Sequence, residues 1–239
     1  MSRLKQFFKR IIYPNKYSSE AFVKYLRKNG ATVGENTYFF APQTNTIDSG
    51  RLSYIKIGNG CSITQGVELL CHDYSWTVLR KSHGDILPDP GKPINIGDNV
   101  FLGWDTIVMG GVNIGNNVII GAHSVVTKDI PDNCVYAGNP AKRICSLEDY
   151  YQKKKKMAIE NAFFRAQHVY KQKGRIPTVQ EMGWFAVLFL ERNGESEAFL
   201  RGLPFKADEM DEVIQSFYKM ERCFNGYDDF IHKAFPQGY

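Results

Sequence analysis

Aliphatic side chains recur at every sixth position between Pro93 and Pro131 of this chain. The six positions are Ile96, Leu102, Val108, Ile114, Ile120 and Val126. Four residues after each of them stands a second small or branched residue: Val100, Thr106, Val112, Val118, Ser124 and Ile130. Neither the period of a helix nor that of a strand explains a repeat of six. Such a repeat is typical of a parallel β-helix, in which the aliphatic residue points into a narrow core.

The same pattern occurs earlier in the chain, so we expect a mainly β protein whose β-helix covers residues 33–145. Its earlier aliphatic positions are Ile57, Ile63 and Leu69, with Cys61 and Val67 at the second position. We therefore expect Cys61 to be a small core residue. Between Tyr38 and Ser53 the register is loose, and the pattern gives no firm account of that coil.

The period fails completely over residues 71–92. This stretch is rich in polar, aromatic and proline residues, although regular coils precede and follow it. Loops that leave a rigid scaffold often carry the functional residues of a protein. We therefore expect residues 71–92 to form a functional loop.

Helical signals flank the repeats, and residues 1–32 are predicted to form an N-terminal helical cap. Ser18 is a suitable cap for a helix over Ser19–Lys28, whose apolar face would plug the open end of the β-helix. Residues 1–12 combine basic residues with apolar ones at helical spacing. They would either pack on the end of the β-helix or contact an anionic membrane surface weakly.

Residues 146–239 are predicted to form a C-terminal helical region. A capping box at Ser146–Asp149 would open a helix that runs to Lys173, and a second helix would start at Thr178 and include Trp184–Leu190. A third is predicted from Asp208 to Phe224, and a short one within Asp228–Phe235. The lysine run 153–156 is either a solvated helix face or a contact for a polyphosphate or a membrane.

Composition excludes several classes of protein. The 239 residues carry a net charge of +5 and no nucleic-acid-binding motif, so nucleic acid is not an expected partner. Five widely spaced cysteines without a CxxC pair argue against a disulfide framework or zinc cluster. The chain has no secretion signal and no apolar run long enough to span a membrane, so we expect a cytoplasmic protein.

Two motifs narrow the function. The loop opens with His72-Asp-Tyr-Ser75, and the repeats end with VTKDIPDN from Val126 and AGNPAK from Ala137. Together with the repeats, they resemble the hexapeptide-repeat acetyltransferases, above all those that O-acetylate sugars and polysaccharides. The resemblance implies a left-handed β-helix, a homotrimer, and acetyl-CoA in a cleft between neighbouring subunits. It also implies that an acetyl group is transferred directly to a saccharide hydroxyl.

The resemblance assigns the catalytic roles. His72 matches the catalytic histidine of the family, and an imidazole that titrates near neutrality suits the removal of a hydroxyl proton. The alternative for His72 is a structural histidine at a bend. The backbone N–H of Trp104 falls where the family stabilises the oxyanion, although relatives carry a smaller residue there. The Trp104 ring would be either a wall of the acetyl site or part of intersubunit packing.

Four residues of the loop are candidates for substrate binding. Asp73 would orient the imidazole or contact the sugar, although neighbouring residues of an extended segment point in opposite directions. Tyr74 and Trp76 would stack on a sugar ring or anchor the loop. His83 is a second candidate base, with a solvated loop histidine as the alternative. Cys71 beside His72 is expected to be a buried small residue rather than a nucleophile.

Seven residues are candidates for acetyl-CoA binding, and no metal is expected. By resemblance they are Gly103, Gly121, Ala122, Thr127, Lys128, Lys142 and Arg143. The cations among them would meet the phosphates, whereas the alternative is ordinary solvated charge. His123 replaces a glycine that is common in this turn of the family.

Three alternative functions remain open. The runner-up is an N-acetyltransferase that acts on an amino sugar or an antibiotic. A non-catalytic β-helix that serves assembly is the second. A zinc enzyme of the carbonic anhydrase type is the third; it would need three convergent ligands, for which His72, His83 and His123 are available.

Overall fold

The chain contains a parallel β-helix and a set of helices. The computed structural model describes residues 3–204 and 209–238, and the side chains of residues 3–7 lie outside that description. The strands are β1 (Thr32–Val33), β2 (Tyr38–Phe39), β3 (Thr46–Ile47), β4 (Ile55–Ile57), β5 (Ser62–Ile63), β6 (Glu68–Leu70), β7 (Ile94–Ile96), β8 (Val100–Leu102), β9 (Ile107–Met109), β10 (Asn113–Ile114), β11 (Val118–Ile120), β12 (Val125–Val126), β13 (Cys134–Ala137) and β14 (Lys142–Ser146). The α-helices are α1 (Arg3–Ile12), α2 (Ser19–Lys28), α3 (Trp76–His83), α4 (Leu147–Lys173), α5 (Val179–Met182), α6 (Gly194–Arg201), α7 (Met210–Lys219) and α8 (Tyr227–Ala234).

The strands form three sheets, which are the faces of the β-helix. Their orders are β1-β4-β7-β10, β14-β13-β11-β8-β5-β2 and β12-β9-β6-β3. Neighbouring strands are parallel except β13 and β14, which pair antiparallel. Every aliphatic residue of the six-residue repeat between Ile96 and Val126 is at most 3% exposed. Cys61 is also buried in this core, at 1% exposure, as the repeat predicts.

The coil between Tyr38 and Ser53, for which the sequence pattern gave no clear register, is present but irregular. Two 3₁₀-helices, Pro42–Thr44 and Ser49–Tyr54, replace its regular corners. Between them β3 keeps the parallel register, with Ile47 opposite Leu69. The buried amide of Asn45 donates to the Thr64 carbonyl at 2.7 Å. Side-chain bonding of this kind satisfies backbone groups where the repeat is broken.

A row of asparagines links one corner of successive coils. Asn99 Nδ2 donates to Asn117 Oδ1 at 2.8 Å, and Asn117 Nδ2 donates to Asn133 Oδ1 at 3.0 Å. All three residues have positive φ angles, between 54° and 57°. Asparagine tolerates this left-handed conformation better than most residues, so it suits both the corner and the bonded row.

The two N-terminal helices differ in their packing. Ser18 caps α2, and Phe22 and Leu26 are buried in the core of the β-helix. In α1, by contrast, Phe8, Ile11 and Ile12 are 53%, 62% and 64% exposed. The predicted packing of residues 1–12 on the end of the β-helix is therefore not found for these side chains. Leu4 and Phe7 belong to the same prediction, but their side chains are outside the described residues.

The chain divides into two compact units, one up to Tyr150 and one from Tyr151. The expectation of a mainly β protein is wrong for the whole chain, because the described residues contain more helix than strand and α4 alone spans 27 residues. Ala162, Met182, Phe189 and Phe230 lie in the apolar core of the second unit. No described helix is both long and apolar enough to cross a membrane.

The helices of the second unit match the sequence predictions in part. The cap at Ser146 and the capping box of Thr178 and Glu181 are present. The predicted second helix stops at Met182, because Gly183 has a φ of 55° and a 3₁₀-helix follows over Gly183–Leu188. The helix α6 was not predicted. The third helix ends at Lys219 instead of Phe224, and its predicted start at Asp208 lies outside the described residues.

Candidate active site

His72 lies just after β6 and bonds a carboxylate from the preceding coil. Its Nδ1 donates to Asp48 Oδ2 at 2.5 Å, and the two side chains are 18% and 7% exposed. The bond follows from the register: Ile47 pairs with Leu69, and the Asp48 N–H donates to the Leu69 carbonyl at 3.1 Å. With Nδ1 as the donor, the second ring nitrogen, Nε2, is left as an acceptor that can take a proton.

Asp48 is a candidate functional residue that the sequence pattern did not reveal. It lies 24 positions before His72, in the coil whose register the pattern could not define. The available signal was an acidic residue at the end of a strand one coil before the loop. Arg51 supports the same carboxylate, with its Nη1 3.9 Å from Asp48 Oδ2, while its Nε donates to the Pro90 carbonyl near the end of the loop.

A cavity of about 190 Å³ adjoins the imidazole. Its wall contains His72 and Asp73 from the start of the loop, Asp89 and Lys92 from its end, and Gly110 from the next coil. A Cβ at Gly110 would lie 2.5 Å from the carbonyl oxygen of Cys71, so only glycine fits there. The two ends of the loop thus meet beside His72.

Cys71 precedes the histidine but is not suited to nucleophilic attack. Its side chain is 2% exposed. Burial, together with the charge of Asp48, raises the pKa of its thiol to about 11, although Arg51 acts in the opposite direction. The thiol is therefore protonated near neutral pH, and only the thiolate is a good nucleophile.

The other residues of the loop take separate positions. Asp73 does not bond the imidazole; its Oδ1 accepts the Ser75 N–H at 2.8 Å, and the hydrogen bonds from Ser75 lower the pKa of this carboxyl. The Tyr74 ring meets the His72 ring edge-on with centroids 5.1 Å apart, and it is 68% exposed. An exposed aromatic beside a polar imidazole can offer an apolar face to a sugar ring.

The loop also contains α3, which the sequence did not predict. Trp76 is its first residue and His83 its last. His83 is exposed, bonds Ser82 and does not line the cavity beside His72. The structure therefore gives no support from geometry for His83 as a second base.

Trp104 occupies a turn that is stacked on the next coil. A Cβ at Gly103 would lie 2.6 Å from the Ala122 nitrogen, so a glycine is required for the coils to approach. The His123 N–H donates to the Trp104 carbonyl at 2.7 Å, and the Trp104 side chain is 54% exposed. His123 has a φ of 55°, a conformation that glycine adopts more easily. Trp104 does not line the cavity beside His72.

The candidate cofactor residues lie along the end of the β-helix. Gly121 packs closely on β13, since a Cβ there would lie 2.9 Å from Ala137 Cβ. The remaining candidates are solvent-exposed: Ala122, Thr127, Lys128, Lys142 and Arg143. Lys142 and Arg143 are the first residues of β14. Their charges are thus available to an anionic ligand, and their role in acetyl-CoA binding stays a prediction.

The histidines of the zinc alternative are not gathered into a metal site. Among the described residues, no three His, Cys, Asp or Glu side chains are placed to hold a metal ion. His72 bonds Asp48, His83 bonds Ser82, and His123 Nε2 lies 3.7 Å from Asp105 Oδ2. Each histidine therefore has a different local partner.

Comparisons with known proteins agree with this architecture. The family described as "Bacterial transferase hexapeptide (six repeats)" matches residues 93–128. Protein CapG of Staphylococcus aureus is 43% identical over 148 residues, which is 62% of this chain and 82% of that protein. Galactoside O-acetyltransferase of Escherichia coli is 31% identical over 135 residues, which is 50% of this chain and 65% of that protein. A solved maltose O-acetyltransferase from Clostridium difficile is 27% identical over 60% of this chain and 85% of its own, with a TM-score of 0.39.

Proposed function

Because this chain is an acetyltransferase of the bacterial transferase hexapeptide family, we propose that it transfers an acetyl group from acetyl-CoA to a hydroxyl of a saccharide. The acceptor would be a precursor of a capsule, an exopolysaccharide or a lipopolysaccharide. The observation that carries the proposal is the His72–Asp48 pair at the edge of a cavity, 2.5 Å between Nδ1 and Oδ2.

The chemistry follows from the protonation of this pair. His72 Nε2 takes the proton of the acceptor hydroxyl as the hydroxyl oxygen forms a bond to the acetyl carbonyl carbon. Asp48 holds the ring in the required tautomer and stabilises the positive imidazolium that results. The imidazolium then returns its proton to the leaving CoA thiolate as the carbon–sulfur bond breaks. No acyl-enzyme is formed, which is in keeping with the protonated thiol of Cys71.

The remaining roles belong to the same proposal. The Trp104 N–H would stabilise the oxyanion, and Lys142 with Arg143 would meet phosphates of acetyl-CoA along a path past Gly103, Gly121, Ala122, Thr127 and Lys128. Tyr74, Trp76 and Asp73 would contact the saccharide. We infer a left-handed coil and a homotrimer, in which a second copy completes the cofactor cleft. Residues 33–145 would be the acyltransferase domain.

A saccharide is favoured over an amine as the acceptor. The galactoside O-acetyltransferase of Escherichia coli is 31% identical to this chain, and the exposed Tyr74 ring beside the imidazole offers a face for a sugar. An amino sugar is the second candidate, because an imidazole can also deprotonate an ammonium group. Release of CoA with a panel of sugars, amino sugars and nucleotide sugars would separate the two.

The test of the mechanism is the substitution His72→Ala. We expect turnover to fall by about 10²–10⁴-fold, because the general base is lost, while the affinity for acetyl-CoA changes little. Initial rates of CoA release and calorimetric titration of acetyl-CoA measure the two quantities. His83→Ala is the matched control and should keep its turnover. Unchanged turnover in His72→Ala would remove this residue from the mechanism.

We also propose that α1 contacts an anionic membrane surface. Its described apolar side chains Phe8, Ile11 and Ile12 are exposed, and its last turn carries Lys9 and Arg10. The helix has no acidic residue. A basic helix with an exposed apolar side is typical of interfacial segments.

A further inference from the structure

The C-terminal unit contains a cavity larger than the one beside His72. It encloses about 840 Å³ and lies between α4, the 3₁₀-helix Gly183–Leu188 and the end of α7. The volume is in the range of sites that hold small organic ligands. The cavity lies wholly after Tyr150, beyond the six-residue repeats, so the acetyltransferase chemistry proposed above does not account for it.

Positive charge converges on this cavity from two separate elements. Lys154 and Lys155 come from α4, and Lys219 and Arg222 come from the end of α7 and the segment after it. The single acidic residue in the wall is Glu221. Lys155, Lys219 and Arg222 form no ion pair with any residue that the structure describes. The charges of these three side chains are thus not neutralised by an ion pair within the described residues.

A half-buried guanidinium adds to that charge. Arg192 Nε donates to the carbonyl of Met220, which lines the cavity, at 2.9 Å, and Nη1 donates to the Leu190 carbonyl at 2.6 Å. Its guanidinium carbon lies 4.2 Å from the centre of the Phe217 ring. Burial, and then the charge of Arg222, lower the pKa of Arg192. Carbonyls and a ring hold this cation, and no described carboxylate pairs with it.

The rest of the wall suits a ring. The Tyr151 side chain is 53% exposed and lines the cavity together with Val187 and Leu188. Aromatic side chains present a flat apolar face on which sugar and base rings can lie. The cations and the ring-binding surface are therefore found in one cavity.

We propose that this cavity binds a small molecule in which a diphosphate adjoins a sugar or nucleoside ring. The diphosphate oxygens bind Lys154, Lys155, Lys219 and Arg222, because several cations are needed to balance its charge and charge-assisted hydrogen bonds are the strong ones. The ring lies against Tyr151 and the apolar wall. This site goes beyond the acetyl transfer proposed above and does not depend on it.

The lysine run of α4 provides a matched pair of variants for the test. Lys154→Gln with Lys155→Gln removes two cations that line the cavity, whereas Lys153→Gln with Lys156→Gln removes two from the same run that do not line it. All four lysines are exposed, so we expect both proteins to fold. Arg222→Gln tests the second element independently.

Calorimetric titration of the full chain with uridine diphosphate is the measurement. We expect the Lys154/Lys155 variant and Arg222→Gln each to weaken binding by about tenfold, in line with the loss of charge-assisted hydrogen bonds. The Lys153/Lys156 variant should stay within about twofold of the parent, since only screened charge is lost. Equal weakening by the two lysine pairs would overturn the proposal.

Two further measurements complete the test. A Lys142 variant distinguishes this site from the proposed cofactor site, and titrations with pyrophosphate and uridine show which part of the ligand is bound. Binding lost in Lys142→Gln but kept in the Lys154/Lys155 variant would overturn the proposal, because the ligand would then occupy the acetyl-CoA site. Inorganic pyrophosphate should bind more weakly than uridine diphosphate and with the same dependence on Lys154 and Lys155. Uridine binding as tightly as uridine diphosphate would contradict a role for the phosphates. Acetyl transfer by His72 is measured separately, so failure of either proposal leaves the other intact.

Discussion

The orientation of one imidazole depends on a carboxylate from the preceding coil. Asp48 is only 7% exposed, and its bond to His72 Nδ1 leaves one ring nitrogen for chemistry. Hydrogen bonds to a charged group contribute about 1.5–3 kcal/mol. In the proposed mechanism, replacing the carboxylate affects the imidazolium more than it affects the binding of either substrate.

We expect Asp48→Asn to lower kcat by roughly 10- to 100-fold with little change in the KM for acetyl-CoA, because the carboxylate stabilises the charged ring more than the neutral one. Steady-state rates of CoA release measure both constants. Asp85→Asn is the control, since Asp85 is an exposed carboxylate of the same loop that does not line the cavity beside His72. A KM effect without a kcat effect in Asp48→Asn would assign Asp48 to substrate binding.

The two members of the pair were not equally predictable. His72 could be named as a candidate because the motif His72-Asp-Tyr-Ser75 starts at the point where the six-residue repeat fails. Asp48 could not, because Pro42 and Gly50 obscure the register that brings it beside His72. The buried state of Cys71 was predictable from the alternation of the strand, while its raised pKa depends on burial and on the unseen neighbour Asp48.

At the scale of single elements, a capping box joins three segments of the C-terminal unit. The Glu181 carboxylate accepts the Thr178 N–H at 2.7 Å and pairs with Lys173 at 2.5 Å and Arg175 at 2.9 Å. The hydrogen bonds from Arg175, Lys173 and Thr178 lower the pKa of Glu181 far below its usual value. The contacts tie the end of α4 to the start of α5.

We expect Glu181→Gln to lower the Tm of the C-terminal unit by a few degrees at neutral pH. Because the folded pKa is depressed, the contribution of the carboxylate is fully present above its unfolded pKa of about 4.5 and is lost as the pH falls below it. The difference in Tm between the two proteins should therefore shrink in acid. Calorimetric scans between pH 3 and pH 7 provide the measurement.

Glu160→Gln is the control for this prediction, because Glu160 is an exposed glutamate of α4. Its Tm should follow that of the parent at every pH. A difference for Glu181→Gln that stays constant through the acid range would show that the charge of Glu181 does not act on stability.

The elements were predictable where a local signal fixes them. The repeat defined the core strands, and Ser18, Ser146 and Thr178 marked helix starts. The predicted helix through Trp184 is broken because Gly183 takes a left-handed conformation, which an apolar run does not reveal. Helix α3 was not predicted because its loop is rich in polar and proline residues, which favour irregular structure.

At the scale of the whole molecule, the net charge of +5 and the exposed apolar side chains of α1 both favour contact with an anionic membrane. In the proposed membrane contact, positive charge would attract the chain to an anionic bilayer, and the apolar side of α1 would then enter the interface. Ile11 and Ile12 are more than 60% exposed in the free protein. Membrane contact would bury apolar area that folding has left in water.

We expect the protein to sediment with vesicles that contain anionic lipid, and Ile11→Ser with Ile12→Ser to weaken this binding by at least about fivefold, because apolar burial is lost. Phe164→Ser is the control, since Phe164 is 69% exposed on α4. Cosedimentation at several lipid concentrations gives the affinities. An equal loss for the control, or binding to neutral vesicles of the same strength, would contradict an interfacial role for α1.

The bonded row of Asn99, Asn117 and Asn133 has a consequence for how such a protein can change in length. Asn99 and Asn117 are 18 positions apart, and the Asn117 amide bonds an asparagine amide in the coil on either side. A duplicated segment of 18 residues would therefore find, at both of its junctions, the partners that the original neighbours already offer. An insertion of a few residues would instead turn apolar side chains outward. Within the regular coils, duplication or deletion of an entire coil is thus accepted more easily than a shorter insertion.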